Sequence, residues 1–190
     1  MENHTLATIP RSEPATLRDG STVLIRPITP ADTGLVAAIF AGLSPESRRL
    51  RFLTAKNELS PAELRYLTEV DHHDHEAIGA LDAATGRSAG IARYIRDRSD
   101  PATAELAVAV VDGWQGRGLG TELVSQLAER ARQAGIRRFV ALTAGSNVAM
   151  GVLLRRMGGT VVSREFGTLE YELLLGGPPE LAPAVGYGPS

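Results

Sequence analysis

The chain has 190 residues, 43% hydrophobic and 22% charged, with a formal net charge of −2; that length and core content suit one well-filled domain and are short for two. A pI near 6.1 leaves no broad basic field for a polyanion, so no nucleic-acid partner is expected. The chain contains no cysteine, which excludes disulfides, thiolate zinc sites and a cysteine nucleophile together.

Residues 1–16 read as a flexible, polar N-terminal segment without the apolar core of a secretory signal. No run approaches the roughly 18 apolar residues of a membrane span, so the sequence implies a cytoplasmic protein without a membrane partner. Thr22–Arg26 reads as a first strand, ended by Pro27. Thr29-Pro30, Ser44-Pro45 and Ser60-Pro61 each place a hydroxyl at an N-cap and proline at the first helical position, which predicts three helix starts. Ser60 with Glu63 is also a capping box. From Glu76 the pattern changes to AIGALDA, SAGIARYIR and AELAVAVV, separated by Thr85-Gly86 and DRSDPAT; this predicts three successive antiparallel strands.

A glycine-rich turn follows, Gln115-Gly116-Arg117-Gly118-Leu119-Gly120, and then a helix whose Leu119, Leu123 and Leu127 share one stripe. Glycines allow tight turning and close backbone approach to a ligand, and a helix N-terminus offers unpaired N–H donors and a positive dipole end to an anion. The register does not fit G-x-G-x-x-G, and the sole lysine, Lys56, lies far from any P-loop position. Gly135 predicts the helix C-cap. RRFVALTA predicts another strand, Asn147–Met157 a short helix stopped by Gly158-Gly159, and TVVSREFGTLEYELLL a hairpin. The tail, residues 176–190, is rich in proline and glycine and reads as flexible.

The glycine turn is similar to the Q/R-x-x-G-x-G/A coenzyme A loop of the GNAT N-acetyltransferases, and the element order resembles that fold over residues 17–175. The segments LRDGSTVLIRPITPAD, LSPESRRLRFL, LTEVDHHDHEAIGAL and AELAVAVVDGWQGRGLGTEL resemble the bacterial protein lysine acetyltransferases. The resemblance implies an α/β fold with a mixed, mostly antiparallel sheet of about six to seven strands flanked by helices, splayed at the acetyl-CoA site. It implies direct acetyl transfer from acetyl-CoA to an amine, with a protein lysine favoured, for example on an acyl-CoA synthetase. A small amine acceptor, or an acyl-CoA sensor without turnover, stays open.

Residue roles follow from the same resemblance. Gln115, Gly116, Arg117, Gly118, Leu119 and Gly120 would hold the pyrophosphate, and the backbone of Val108, Ala109 and Val110 would pair with pantetheine. Glu105, the acidic residue ahead of an otherwise apolar strand, would be the general base; the plain alternative is a solvated strand entrance. Asn147 would contact coenzyme A or simply cap its helix. Many relatives carry a tyrosine seven residues after this asparagine as general acid, but position 154 is leucine, and Tyr171 reads better as core. His72, His73, Asp74 and His75 fit no metal-ligand spacing, and no metal is expected. Arg48, Arg49 and Arg51 read as a charged helix face, with an acceptor-side or phosphate-side role for Arg51 as the alternative.

Overall fold

The computed structural model describes residues 12–176; the expectations of flexibility for residues 1–11 and 177–190 fall outside them. One sheet of eight strands organises the domain, in the order β1-β2-β3-β4-β5-β6-β8-β7. The strands are β1 (Glu13–Thr16), β2 (Thr22–Pro27), β3 (His75–Asp82), β4 (Ser88–Arg96), β5 (Thr103–Val110), β6 (Arg138–Ala144), β7 (Thr160–Glu165) and β8 (Thr168–Leu174). All neighbours are antiparallel except the parallel pair β5–β6.

The sheet therefore exceeds the six to seven strands expected. The addition is β1, drawn from residues assigned to an irregular segment, and it pairs from Glu13↔Ile25 to Thr16↔Thr22. Four residues containing a proline carry too little alternation to read as a strand, whereas an edge position tolerates Pro14 and the β2 edge supplies the partners. Residues 13–16 thus belong to the sheet.

Helix α4 (Leu119–Gln133) covers one sheet face, where its Leu119, Leu123 and Leu127 pack with Ile78, Tyr94 and Leu106. On the other face α1 (Thr33–Ala41) and α3 (Pro61–Thr68) bring Val36, Ile39, Leu64 and Leu67 onto Ala77, Ile91 and Ala109. Because side chains alternate along a strand, even-numbered residues of β5 face α4 and odd-numbered ones face α1 and α3. Helices α2 (Pro45–Phe52) and α5 (Val148–Arg156) flank the end of the sheet where β5 meets the glycine turn.

The expected caps at α2 and α3 are present. Ser44 Oγ accepts from Ser47 N–H, and Ser60 Oγ from Glu63 N–H, both at 3.2 Å, while the Glu63 carboxylate accepts from Ser60 N–H at 2.8 Å. Thr29 behaves differently. Its N–H and hydroxyl both donate to Asp32 at 2.8 Å, Arg26 donates to the same carboxylate at 2.6 and 2.8 Å, and a 3₁₀ turn (Pro30–Asp32) precedes α1.

The feature that positions a site is the parallel pair. β5 and β6 pair only from Thr103↔Arg138 to Glu105↔Val140, although β5 continues to Val110. Beyond Glu105 the strands part, and the β5 edge from Leu106 to Val110 is left without a neighbouring strand on that side.

Candidate active site

A cleft of about 390 Å³ occupies the gap between the parted strands. The β5 edge forms one wall through Val108, Ala109 and Val110, the glycine turn and the start of α4 form the floor, and α5 forms the opposite wall through Asn147, Met150 and Leu153. Ser47, Leu50 and Arg51 close it from α2; their i, i+3, i+4 spacing puts them on one helix face.

The floor is built for an anion. Gly116 and Gly118 take φ of +76° and +96°, conformations that other residues adopt only at a strain. Gln115 N–H donates to Asp112 O at 3.2 Å, and the next loop amide with a backbone acceptor is that of Glu122, on Gly118 O at 3.1 Å. Among the described residues the N–H groups of residues 116–121 are thus left open at the N-terminus of a 15-residue helix, where the dipole favours negative charge. Gly120 brings α4 close to α5: a Cβ there would lie 2.7 Å from Leu153 Cδ1.

Gln115 and Asp112 hold the turn in place. Gln115 Nε2 donates to Val110 O and Asp112 Oδ1, both at 3.1 Å. Asp112 also accepts from Ser47 Oγ at 2.8 Å and Ser44 N–H at 3.2 Å. Burial opposes ionisation of this carboxyl, but the Ser47 and Ser44 hydrogen bonds outweigh it and lower its pKa.

Glu105 is not in the cleft lining. It is exposed at the last position of β5 that pairs with β6, the point from which those two strands diverge, and as an odd-numbered residue it shares the face of Arg93 and His75. Arg93 is 4% exposed and donates to His75 Nε2 and Leu67 O, both at 3.0 Å. Burial, then the neighbouring Arg51 charge, pulls its guanidinium down to about 10. Burial likewise holds Arg51 below its ordinary value, opposed by the negative charge of Glu105. The basic side chain of Arg51 therefore lies between the cleft and the Glu105 face.

The sequence profile of the Acetyltransferase (GNAT) family matches residues 44–158. The chain belongs to the GNAT acetyltransferase family. The acetyltransferase Pat of Mycolicibacterium smegmatis is 31% identical over 160 residues, 84% of this chain and 48% of that protein. Acetyltransferase PA5475 of Pseudomonas aeruginosa is 35% identical over 144 residues, 75% of this chain and 77% of its own. The crystal structure of the GNAT domain of S. lividans PAT matches with a TM-score of 0.81 at 30% identity, over 86% of this chain and 96% of that one. The chain spans about half the length of the M. smegmatis relative. It has the GNAT fold, and enzymes of this family use acetyl-CoA.

Within this GNAT domain, most residues named from sequence gather in the cleft: Val108, Ala109, Val110, Gln115, Gly116, Gly118, Leu119, Gly120 and Asn147 all line it. Arg117 does not. Its guanidinium pairs with Asp19 at 3.3 Å and lies 4.8 Å over the Trp114 ring. Asn147 caps α5, its side chain accepting from Met150 N–H at 3.1 Å, and it also lines the cleft. Leu154 is fully buried. Tyr171 is core, as expected: its hydroxyl accepts from Arg155 Nη1 at 2.8 Å, and it does not line the cleft.

The three central histidines take separate partners: His72 with Glu76 at 2.9 Å, His73 with Asp74 at 2.8 Å, and His75 with Arg93. Arg49 pairs with Glu46 and Arg48 donates to Phe40 O at 3.2 Å, so only Arg51 of that trio reaches the cleft. Sequence reading missed Arg18, Ser47, Trp114, Met150 and Arg156 as lining residues. Only the shared face of Ser47 and Arg51 left a trace in the spacing.

Proposed function

We propose that the chain transfers an acetyl group from acetyl-CoA directly to a primary amine, with a protein lysine side chain as the acceptor and Glu105 as the general base. The observation that carries the coenzyme assignment is the row of open amides at residues 116–121, at the N-terminus of α4 and along the cleft floor, which suits a pyrophosphate. The free β5 edge suits the amide groups of pantetheine, bound as an added strand would be.

A lysine amine has a pKa near 10.4, so a proton must leave for the nitrogen lone pair to attack. Glu105, directly or through a water, accepts it. The amine nitrogen then bonds to the thioester carbon, the C–S bond breaks with its electron pair leaving on sulfur, and the surplus proton on nitrogen passes to the departing thiolate or to water. A thiol pKa near 8.5 lets that thiolate depart without a positioned acid, which fits a cleft with no tyrosine among the described residues of its lining. The lysine acceptor is supported by the resemblance to the lysine acetyltransferases and by the openness of the Glu105 face. Leu142, in β6 on the same side of the sheet, is 51% exposed. An open face suits a protruding side chain better than a small amine, which an enzyme ordinarily encloses. The placement of the protein in the cytoplasm belongs to the same reading; among the described residues no helix is long and apolar enough to cross a membrane.

The absence of a cleft tyrosine also favours a second reading, an acyl-CoA sensor without turnover. Transfer from labelled acetyl-CoA to a panel of proteins and small amines, read by mass spectrometry, separates the two. Glu105→Gln is expected to lower lysine labelling by about 10²- to 10⁴-fold with acetyl-CoA affinity kept. Equal labelling by the variant would refute Glu105 as base, labelled small amines would replace lysine as the acceptor, and binding without any transfer would establish the sensor.

A further inference from the structure

The turn between β1 and β2 lies against the glycine turn and is fastened there twice. Arg18 N–H donates to Arg117 O at 3.1 Å, and Asp19 Oδ2 pairs with Arg117 Nη1 at 3.3 Å. Asp19 is held in turn by the hydroxyl and N–H of Ser21, at 2.6 and 3.1 Å, and these hydrogen bonds lower its pKa. Arg117, which the resemblance includes in the coenzyme loop, is thereby matched by Asp19 and stacked on Trp114.

Arg18 is placed differently. It is exposed, lines the cleft, and crosses Gly118 so closely that a Cβ on that glycine would meet Arg18 Cγ at 3.3 Å and Nε at 3.4 Å. Among the described residues its guanidinium pairs with no carboxylate; the carboxylate next to it, Asp19, is engaged with Arg117. A free guanidinium thus stands directly over the turn whose amides are open. Planar, paired N–H donors match phosphate oxygens, and the interaction is charge-assisted.

We propose that Arg18 is a phosphate-binding residue of the coenzyme site: the β1–β2 turn carries its guanidinium over Gly118, where it closes on a phosphate oxygen held from beneath by the loop amides. This rests on the assignment of the cleft to acetyl-CoA. It gives β1 and its turn a role in binding, and it transfers to Arg18 the charge that Arg117 uses internally.

The test is equilibrium binding by calorimetry of acetyl-CoA, 3′-dephospho-acetyl-CoA and S-acetylpantetheine to the wild type, Arg18→Gln and Arg18→Lys. Arg18→Gln is expected to weaken acetyl-CoA about tenfold or more, the loss of one charge-assisted contact, and to leave S-acetylpantetheine, which has no phosphate, unchanged. Arg18→Lys is expected to fall between, since it keeps the charge and loses the fork. A penalty that persists with the dephospho compound places the contact on the pyrophosphate and supports the proposal; one that vanishes places it on the 3′-phosphate and overturns the contact over the loop amides. Equal acetyl-CoA affinity in the wild type and Arg18→Gln would overturn the role of Arg18 alone, as would an equal loss for S-acetylpantetheine. A wild type that binds none of the three would overturn the coenzyme assignment itself.

Discussion

Single residues here are constrained by one or two contacts that decide what they can do. Tyr171 is the clearest case, because a tyrosine hydroxyl could serve as a general acid in place of the one missing at position 154. Its oxygen instead accepts from Arg155 at 2.8 Å, and the residue is 1% exposed. Tyr171→Phe is expected to keep the transfer rate and its pH profile within about twofold, with a stability loss of about 1 kcal/mol for the missing hydrogen bond. A fall in rate of about 10²-fold or more, without unfolding, would instead make Tyr171 the general acid. The buried tyrosine was legible in sequence, because Leu169, Tyr171 and Leu173 alternate along a strand. The partner of Arg117 was not, because Asp19 lies 98 positions upstream and only folding brings the two turns together.

Elements matter through their ends and their crossings. Helix α4 was legible as a 3.6-residue stripe opened by glycines, and the meander of β3, β4 and β5 as apolar runs separated by turn residues; both signals are local. The closeness of α4 to α5 is not local, and it rests on Gly120. A Cβ at 120 would fall 2.7 Å from Leu153 Cδ1, the end of a mobile side chain, so alanine is expected to be accommodated by a shift of Leu153. Gly120→Val is expected to push α5 away, with a stability loss of about 1–3 kcal/mol from overpacking and a larger loss of acetyl-CoA affinity than Gly120→Ala. Thermal unfolding and calorimetric titration of the two variants check this, and equal affinities would show that the spacing of α4 and α5 does not shape the cleft. Helix α2 gives the opposite lesson. Its sequence reads as a charged face, yet Arg49 turns to Glu46 while Arg51 turns inward, a division that no pattern of charges along one helix could reveal.

Across the whole molecule, the sheet separates the α4 face from the face that carries Glu105, Arg93 and His75, and this division gives the fold a pH dependence. Burial, reinforced by Arg93, pushes His75 down from 6.5 to about 4, with Asp71 opposing and His72 adding to the shift. Between those values the unfolded chain binds a proton at this histidine and the folded chain does not. Stability is therefore lost as pH falls from about 6.5 towards 4. Replacing His75 with Gln keeps a hydrogen-bond acceptor for Arg93 and removes the titration, so denaturant midpoints measured between pH 7 and 4 are expected to fall less steeply in the variant. Parallel slopes would refute the assignment to His75.

The sequence by itself determined the glycine turn, the helix it opens, the order of the elements and the family they resemble, because each is written in local spacing: 3.6-residue stripes, alternating strands, N-caps and glycines that allow positive φ. Only the tertiary structure decided that β5 and β6 part after Glu105, that Arg18 and not Arg117 stands free over the turn, and that residues 13–16 complete the sheet. Each of these depends on chain segments that are distant in sequence and on which partner takes a given hydrogen bond or charge, and a linear pattern does not record that competition.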